Sequence, residues 1–461
     1  MNIFTKNHTC IYRSFFTLLI LSAANLTAPH ASYAQLATNA VYIGNQGNFS
    51  DANGTVSIYT PASENVLQDG IGSLNTLVQN ITLHEERGYI IANTSDRIDV
   101  IDLNTNMRSG QISDVASPRY LTVVGDNKAY VSNLFSNSVT IIDLSNDEAI
   151  GTISAGSNPE DIAVVGNLAY VANNGFGFDS TLTRIDVTTD AVVDTLNLGC
   201  DGPRSLEVDG QDELWIFCNG KTVYNSDFTE IIEQTNGQAL VLNTETSEIS
   251  TRFVFDAQVG AASAGQDTYY DPVTDRIFLV KGNELLVFNT TTNSQEETIT
   301  VPGDESIGGV AYDAASDQLY ISRITTFTTA GFVSIHDIDG TETSRFTAGI
   351  APTTIALLQT GTSVATEAPD SAIPVAFKVD QNYPNPFNPT TTISFESFRT
   401  AETSVKIYNL LGTEVATLAD GTIEAGSHEL IWNAAGMPSG TYFYRITSDK
   451  LTVTRQMTLL K

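Results

Sequence analysis

The stretch AYVSNLFSNSVTIID, residues 129–143, decides the fold, because the chain repeats it. The stretches 169–186 (AYVANNGFGFDSTLTRID) and 88–102 (GYIIANTSDRIDVID) have the same order: an aromatic residue in an apolar strand, an Asn, and a second strand that ends in Asp. Weaker copies begin at Tyr42, Trp215, Phe278 and Tyr320. The intervals between the aromatic anchors are 47, 41, 40, 45, 63 and 42 residues. One four-stranded blade has this length, so the seven anchors predict a seven-bladed β-propeller over residues 35–358.

The two ends of the repeat region predict how the ring closes. The first copy begins at its aromatic strand, residues 40–44, and has no leading strand before it. The segment 349–358 (GIAPTTIALL) matches the leading-strand pattern of the other copies but starts no copy of its own. We therefore expect it to complete blade one, so that the ring has no open edge. Residues 359–377, rich in Thr, Ala, Ser and Pro, are predicted to be a flexible linker.

The repeat resembles that of the YVTN family of surface-layer and secreted propellers. The tetrapeptide appears as Tyr130-Val131-Ser132-Asn133 and as Tyr170-Val171-Ala172-Asn173. Later copies depart from it, with WIFC at 215–218 and FLVK at 278–281. The resemblance implies a secreted or surface-layer propeller, and the departures weaken any transfer of ligand knowledge from that family.

A second all-β module begins at NYPNPFNPTTTI, residues 382–393. Its prolines exclude a helix, and about six short strands follow. The module resembles the sorting domain of type IX secretion in Gram-negative bacteria, with an Asn-Pro-rich entry, a Tyr-Asn-x-x-Gly turn at 408–412, a Gly-Thr-Tyr strand start at 440–442 and a terminal strand. The resemblance implies that residues 378–461 form a small immunoglobulin-like β-sandwich, with a sorting motif at Asn382, Tyr383, Pro384, Asn385, Pro386, Phe387, Asn388 and Pro389. An unrelated immunoglobulin-like adhesion module is the alternative.

The N-terminal residues 1–34 are predicted to be a secretory signal peptide. Basic residues precede an apolar run at 15–24 that is too short to span a bilayer, and small residues predict cleavage between Ala34 and Gln35. No other apolar run approaches membrane length, so the mature chain is predicted to have no transmembrane segment. With the sorting domain, this predicts passage through the periplasm, the type IX machinery as a partner, and a final place outside the cell or on its surface.

The negative charge of the protein belongs to the propeller. Residues 35–358 contain 43 acidic and 13 basic residues, whereas 378–461 contain 8 and 7. Such a surface repels nucleic acid and anionic lipid, so a phosphate-binding function has no electrostatic basis. It suits cations or basic partners, or it serves only to keep the protein soluble.

Unequal loop lengths predict one working face of the ring. The loops between second and third strands and the connections between blades share one face, and several of them are long: 46–54, 174–180, 219–238, 256–266 and 323–331. Long irregular loops on a rigid scaffold are where binding usually occurs. The candidate ligand-binding residues are the loop aromatics and the charged residues that begin leading strands: Phe49, Phe176, Phe178, Tyr224, Phe228, Phe327, Arg119, Glu160 and Arg204. The alternatives are that each aromatic pins its own loop and that each Arg pairs with a neighbouring carboxylate.

Catalysis has little support in the sequence, because the mature propeller contains only His84 and His336 and no known catalytic or zinc motif. No cofactor is predicted, although Asp51 and Asn53 form a weak candidate site for calcium. Cys200 and Cys218 remain after signal removal, which favours a disulfide over two buried thiols.

These observations predict a monomeric, secreted or cell-surface propeller that binds an extracellular polysaccharide or protein. One alternative is a metal-dependent enzyme of the lactonase or lyase kind, and another is a passive surface-layer element. Acidic residues clustered at the channel mouth would favour the enzyme, whereas dispersed aromatics would favour binding.

Overall fold

The computed structural model describes residues 36–125, 127–361, 377–379, 382, 384–397, 401–409, 414–424, 426–448 and 451–460, without the side chains of some residues near these gaps. The predicted signal peptide, its cleavage site at Ala34 and Gln35, most of the predicted linker, and Tyr383 lie outside these ranges. The chain forms two compact units, Met1–Val364 and Ala365–Lys461. Within the described ranges the regular structure is β-strand, apart from four short 3₁₀ turns at Pro61–Ser63, Asn93–Ser95, Gly175–Gly177 and Ala262–Ala264.

The first unit consists of seven four-stranded antiparallel sheets and one small hairpin. The strands of the first half are β1 (Leu36–Asn45), β2 (Thr55–Thr60), β3 (Asn65–Leu67), β4 (Val78–His84), β5 (Arg87–Ala92), β6 (Arg97–Asp102), β7 (Met107–Ile112), β8 (Pro118–Gly125), β9 (Lys128–Asn133), β10 (Ser138–Asp143), β11 (Glu148–Ser154), β12 (Pro159–Val165), β13 (Leu168–Asn173), β14 (Thr181–Asp186) and β15 (Ala191–Asn197).

The strands of the second half are β16 (Pro203–Val208), β17 (Leu214–Cys218), β18 (Thr222–Tyr224), β19 (Ile231–Gln234), β20 (Gln238–Asn243), β21 (Glu248–Val254), β22 (Thr268–Asp271), β23 (Arg276–Lys281), β24 (Glu284–Asn289), β25 (Ser294–Thr300), β26 (Ser306–Asp313), β27 (Gln318–Ile324), β28 (Ala330–Asp337), β29 (Glu342–Ile350) and β30 (Pro352–Gly361). We number the sheets as blades. Blade 1 contains β1, β2, β3 and β30; blades 2, 3 and 4 take β4–β7, β8–β11 and β12–β15; blade 5 contains β16, β17, β20 and β21; blades 6 and 7 take β22–β25 and β26–β29.

The seven sheets form a closed ring. The inner strands lie beside one another in the order β4, β8, β12, β16, β22, β26 and β30, and β30 in turn lies beside β4. Seven apolar clusters occupy the seven junctions between adjacent blades. Face-to-face packing of twisted sheets around a central channel is the architecture of a β-propeller, so the predicted fold class is confirmed.

The aromatic anchors of the repeat explain why these segments form blades. Each anchor lies on the second strand of its blade and is at most 1% exposed: Tyr42, Tyr89, Tyr130, Tyr170, Trp215, Phe278 and Tyr320. The residues next to each anchor are buried as well, as in Val41-Tyr42-Ile43 and Ala129-Tyr130-Val131, so these strands bury both faces against neighbouring blades.

The ends of the first unit meet in blade 1. Strand β30 pairs antiparallel with β1, with Ile355 opposite Ile43 and Leu357 opposite Val41. Ala351, which precedes the first proline of β30, has φ of 49°, close to the values at the starts of β8 and β12 (Ser117, 48°; Asn158, 46°). β30 therefore has the geometry of a leading strand, and it continues to Gly361.

The second unit contains two sheets. Strands β31 (Phe377–Val379), β32 (Thr390–Ser397) and β35 (Gly426–Asn433) form the first, and β34 (Glu414–Ile423), β33 (Ala401–Asn409), β36 (Gly440–Ser448) and β37 (Leu451–Leu459) form the second, in these orders. The core contains Trp432, whose ring lies 5.5 Å from that of Phe387 and 5.1 Å from that of Tyr442. The Asn-Pro-rich motif is thus anchored by Phe387, whose backbone also bonds Thr458 and Leu460.

Candidate functional site

One face of the ring carries every exposed aromatic side chain among those that the structure describes. Successive strands of a blade run in opposite directions, so the loops between second and third strands share a face with the connections between blades. We call this the loop face. The exposed aromatics all lie in loops between second and third strands, in blades 1, 3, 4, 5 and 7: Phe49, Phe135, Phe176, Phe178, Tyr224, Phe228 and Phe327. Their exposed fractions of 46–80% leave a large part of each ring open to solvent.

The loops of blades 3, 4 and 5 surround a cavity of about 400 Å³. Phe176 and Tyr224 form its aromatic walls, and the polar lining includes Asn174, Asn219, Thr222 and Gln258. Of the predicted candidates, Arg119, Glu160 and Arg204 also line this cavity, whereas Phe178, Phe228, Phe49 and Phe327 do not. The polar lining residues were missed in the sequence, because they occur in single irregular loops that no repeat marks.

The charged residues of the cavity are paired with one another. Arg119 donates from Nε and one terminal nitrogen to the two carboxylate oxygens of Glu160, each at 2.8 Å, and both side chains are about 95% buried. Such a two-pronged, charge-assisted contact leaves little capacity for an external ion. Arg204 bonds the carboxylate of Asp267 and the carbonyl oxygens of Ala261 and Gly265. Each Arg thus pairs with a carboxylate, which was the alternative to ligand binding, and these residues form part of the cavity wall.

The connection between blades 5 and 6 crosses the channel mouth on the loop face. We call residues 256–267 the bridging connector. The Gln266 N–H donates to the carbonyl oxygens of Gly308 in blade 7 and Thr353 in blade 1, at 3.1 and 2.9 Å, and its side chain accepts from the Ile355 N–H at 2.9 Å. Ser263 also hydrogen-bonds the side chain of Gln46. The connector thus gives the face a polar centre.

Behind the connector, a cavity of about 240 Å³ occupies the channel and is lined by inner-strand residues. Burial raises the pKa of Asp161 to about 8, helped by the charges of Glu207 and Glu160, although two backbone N–H groups oppose the shift. Burial also raises the pKa of Glu207 to about 7, against a hydrogen bond from Thr268. Both acids lie inside the channel. The Asp161 oxygens accept the N–H groups of Ile162 and Leu206, and one Glu207 oxygen accepts the Thr268 hydroxyl. Asp161 and Glu207 lie on leading strands. Side chains on a strand point alternately to opposite sides, so this alternation could have predicted which of them face the channel.

The second group of aromatics lies at the junction of blades 7 and 1. The Asn48 side chain donates to the Phe327 carbonyl oxygen at 3.0 Å and joins the two loops that carry Phe49 and Phe327. Within the loop of blade 1, the Asn53 side-chain oxygen accepts the Asn48 N–H at 2.7 Å. Within the part of the chain that the structure describes, no three His, Cys, Asp or Glu side chains form a metal-binding group. Calcium at Asp51 and Asn53 stays a prediction.

Two further sequence candidates have structural positions. Cys200 and Cys218 are joined by a disulfide, which anchors the end of β17 directly before the cavity residue Asn219. His336 is fully buried, with one ring nitrogen 3.0 Å from the Gly340 carbonyl oxygen and the other 2.8 Å from Ser334 Oγ. Burial lowers the pKa of His336, so the ring is neutral and serves the core of blade 7.

Comparison with known families identifies both units. Residues 381–459 match the family described as "Secretion system C-terminal sorting domain", which indicates export through type IX secretion to the cell surface or the extracellular space. No helix among the described residues has the length and apolarity needed to cross a membrane. The fold and this tail together define an exported β-propeller protein.

The propeller has its own family. Residues 39–348 match the family described as "Domain of unknown function (DUF5074)". The match covers more than half of the chain, and the protein belongs to this family. The YVTN family, which the repeat resembles, is not the one that matches.

Several solved structures are similar to this chain at low sequence identity. A hydrazine synthase of Kuenenia stuttgartiensis has 16% identity and a TM-score of 0.51, over 62% of this chain and 96% of that chain. The dihydro-heme d1 dehydrogenase NirN in complex with DHE has 12% identity and a TM-score of 0.47, over 69% of this chain and 75% of that chain. The β-propeller domain of Cps50 (Swd1) from Myceliophteria thermophila has 10% identity and a TM-score of 0.47, over 66% of this chain and 98% of that chain. No curated protein matches the chain.

Proposed function

We propose that this protein is an exported binding protein whose loop face recognises an extracellular polysaccharide or protein. The observation that carries the proposal is the confinement of all exposed aromatic side chains, among those described, to this one face. Exposed aliphatic residues, by contrast, also occur on outer strands, such as Ile150 on β11 and Val193 on β15. Aromatic side chains left in water on one face of a rigid scaffold are typical of a recognition surface.

The cavity supports binding over catalysis. Its aromatic walls and neutral polar groups suit recognition, and its charged residues are engaged in ion pairs. The channel acids Asp161 and Glu207 lie behind the bridging connector instead of at the open mouth, where clustered acids would have favoured a metal-dependent enzyme. A seven-bladed, monomeric propeller carried to the surface by its tail presents this face outward as a receptor.

The test measures binding of the mature chain, residues 35–461, to a panel of polysaccharides and extracellular proteins, with calcium and with a chelator. We expect at least one partner whose affinity falls on the order of tenfold in Phe176→Ala or Tyr224→Ala, which corresponds to about 1.4 kcal/mol. Ile150→Ala, an exposed apolar residue on an outer strand, is the control and should bind normally. Absence of any partner, or a partner insensitive to both loop variants, would favour the surface-layer alternative. Loss of binding with chelator would bring the calcium prediction forward.

A further inference from the structure

The exposed aromatics of the loop face form two separate patches. Blades 3, 4 and 5 carry the first patch, in which the rings of Phe135 and Phe176 lie 6.3 Å apart and those of Tyr224 and Phe228 lie 6.2 Å apart. Blades 7 and 1 carry the second patch, Phe327 and Phe49. In a closed ring of seven blades, blade 4 is opposite the junction between blades 7 and 1. The two patches therefore face each other across the channel mouth.

The region between the patches is occupied by the bridging connector, which contributes polar side chains to it. The bridging connector spans from blade 5 to blades 7 and 1 and covers the mouth that would otherwise separate the patches. Its contacts reach Gln46 in the loop of the second patch, through Ser263, and its Gln258 lines the cavity of the first patch. A ligand that touches both patches would thus cross a segment that carries Gln258, Ser263 and Gln266 together with small alanine and glycine residues.

We propose that the loop face binds one extended, neutral polysaccharide chain, which stacks sugar rings on both patches and crosses the bridging connector between them. This inference rests on the proposed function and specifies its ligand. A sugar ring presents a C–H face that packs on an aromatic ring, and its hydroxyl groups both donate and accept hydrogen bonds. Those hydroxyls match the mixed donors and acceptors of Thr222, Asn219 and Gln258 beside Phe176 and Tyr224.

Charge selects a neutral chain over an anionic one. The propeller has 43 acidic against 13 basic residues, so a polyanion is repelled at long range. At short range the cations of the first cavity are already neutralised, since Arg119 pairs with Glu160 and Arg204 pairs with Asp267. Among the described residues that line the first cavity, the arginines are thus already paired and are not available to an anionic sugar.

The spacing of the patches favours a sugar chain over a folded protein. A protein partner is usually held by one contiguous apolar core surrounded by a polar rim. Here the two aromatic patches are separated by a connector of small and polar residues, so the apolar surface is not contiguous. The hairpin of β18 and β19 provides an internal comparison, because Ile232 is 65% exposed beside Tyr224 and Phe228 in the same hairpin. A docking protein would use Ile232, whereas ring stacking requires the aromatics.

The experiment titrates the mature chain with neutral oligosaccharide ladders of β-1,4-glucan, β-1,3-glucan and β-1,4-xylan, and with the polyanion alginate. Four proteins are compared: the unmodified chain, Phe176→Ala, Phe327→Ala and Ile232→Ala. We expect one neutral ladder to bind, with long chains at least about tenfold tighter than short ones, because the second patch is engaged intramolecularly. Each Phe variant should weaken the binding of long chains on the order of tenfold. A short chain reaches only one patch, so only the variant in that patch should affect its binding. Ile232→Ala and added salt should have little effect.

Several outcomes would overturn the inference. Affinity independent of chain length would remove the second patch from the site, and preference for alginate would remove the charge argument. An effect of Ile232→Ala as large as that of Phe176→Ala would indicate a protein-docking surface. If no ladder binds but a protein partner is lost in Phe176→Ala, the inference fails and the proposed function survives. If nothing binds, both fail. If binding does not depend on Phe176, the inference fails, and the proposed function fails only if Tyr224→Ala has no effect either. Thermal unfolding of each variant must match the unmodified chain before its affinity is interpreted.

Discussion

Asp161 connects the chemistry of one side chain to the stability of the ring. It lies on the inner strand of blade 4 and lines the channel cavity, and burial raises its pKa to about 8. The folded protein therefore holds this proton at pH values where the unfolded chain, with the ordinary value of 3.8, has lost it. A group of this kind stabilises the fold below its unfolded pKa, and the contribution is lost as the pH rises toward the folded pKa.

We predict that the propeller becomes less stable between pH 5 and pH 8.5 and that Asp161→Asn reduces this loss. The amide resembles the protonated acid. Between pH 5 and pH 8.5 the free energy of unfolding should therefore fall by about 1–2 kcal/mol less in Asp161→Asn than in the unmodified chain, with solvent in the channel taken into account. Denaturant unfolding at several pH values measures it. Asp143→Asn is the control, because hydrogen bonds from Asn146 and Ser145 lower the pKa of this exposed acid out of the range. An unchanged slope in Asp161→Asn would show that Asp161 is ionised in the folded protein.

Single residues also show which contacts sequence patterns reveal. Tyr130 and Tyr170 were predictable as anchors, because burial on a strand requires a large apolar side chain at the same place in every repeat. The pairing of Arg119 with Glu160 was not predictable, because Glu160 lies 41 residues away in the next blade. Only the assembled ring brings the starts of adjacent leading strands together.

The loops of blades 4 and 5 form the cavity because three glycines let their backbones approach. Gly177 has φ of 89°, and a Cβ there would lie 3.1 Å from the Gly220 oxygen and 3.2 Å from the Lys221 Cα. A Cβ on Gly202, with φ of 66°, would lie 3.0 Å from the Gly177 Cα. Both the left-handed backbone conformation and the short distances disfavour a side chain at these two positions, so the cavity geometry depends on them.

We predict that Gly177→Ala destabilises the propeller and weakens ligand binding. Gly72 is a matched control, because its φ of 84° imposes similar backbone strain, while a Cβ there meets nothing within 4 Å. Both variants pay the left-handed cost of about 1 kcal/mol, and Gly177→Ala should lose about 1–3 kcal/mol more because the obstructing atoms are backbone. Calorimetry of the two variants gives the difference. Equal melting temperatures would mean that the two loops separate freely and that their contact does not shape the cavity.

The elements that escaped prediction are those that interrupt the repeat. The turns and leading strands of blades 3 and 4 follow the repeat closely, and Pro118 and Pro159 begin β8 and β12 as expected. The hairpin of β18 and β19 and the course of the bridging connector occur once, so no second copy constrains them. The sequence predicted that loop aromatics would gather on one face, but it could not predict their division into two patches, which depends on the ring.

Ring closure is the property that belongs to the whole propeller. Strand β30 is the innermost strand of blade 1, pairs with β1, and lies between β26 and β4. Without it, the edge of β1 would be unpaired and the apolar clusters on both sides of blade 1 would lose part of their packing, including Ile355. A long apolar strand edge recruits other chains, so its exposure favours aggregation.

We therefore predict different behaviour for two truncated chains that both lack the sorting domain, residues 35–361 and residues 35–349. The longer chain should remain monomeric and unfold in one transition, because all four strands of blade 1 are present. The shorter chain should lose that transition or form concentration-dependent oligomers, since it lacks the strand that packs against both neighbouring blades, and a typical domain is stable by only about 5–15 kcal/mol. Light scattering and calorimetry compare them. A monomeric shorter chain with the same melting temperature would show that blade 1 closes without β30, and that the ring is held by the other blade junctions alone.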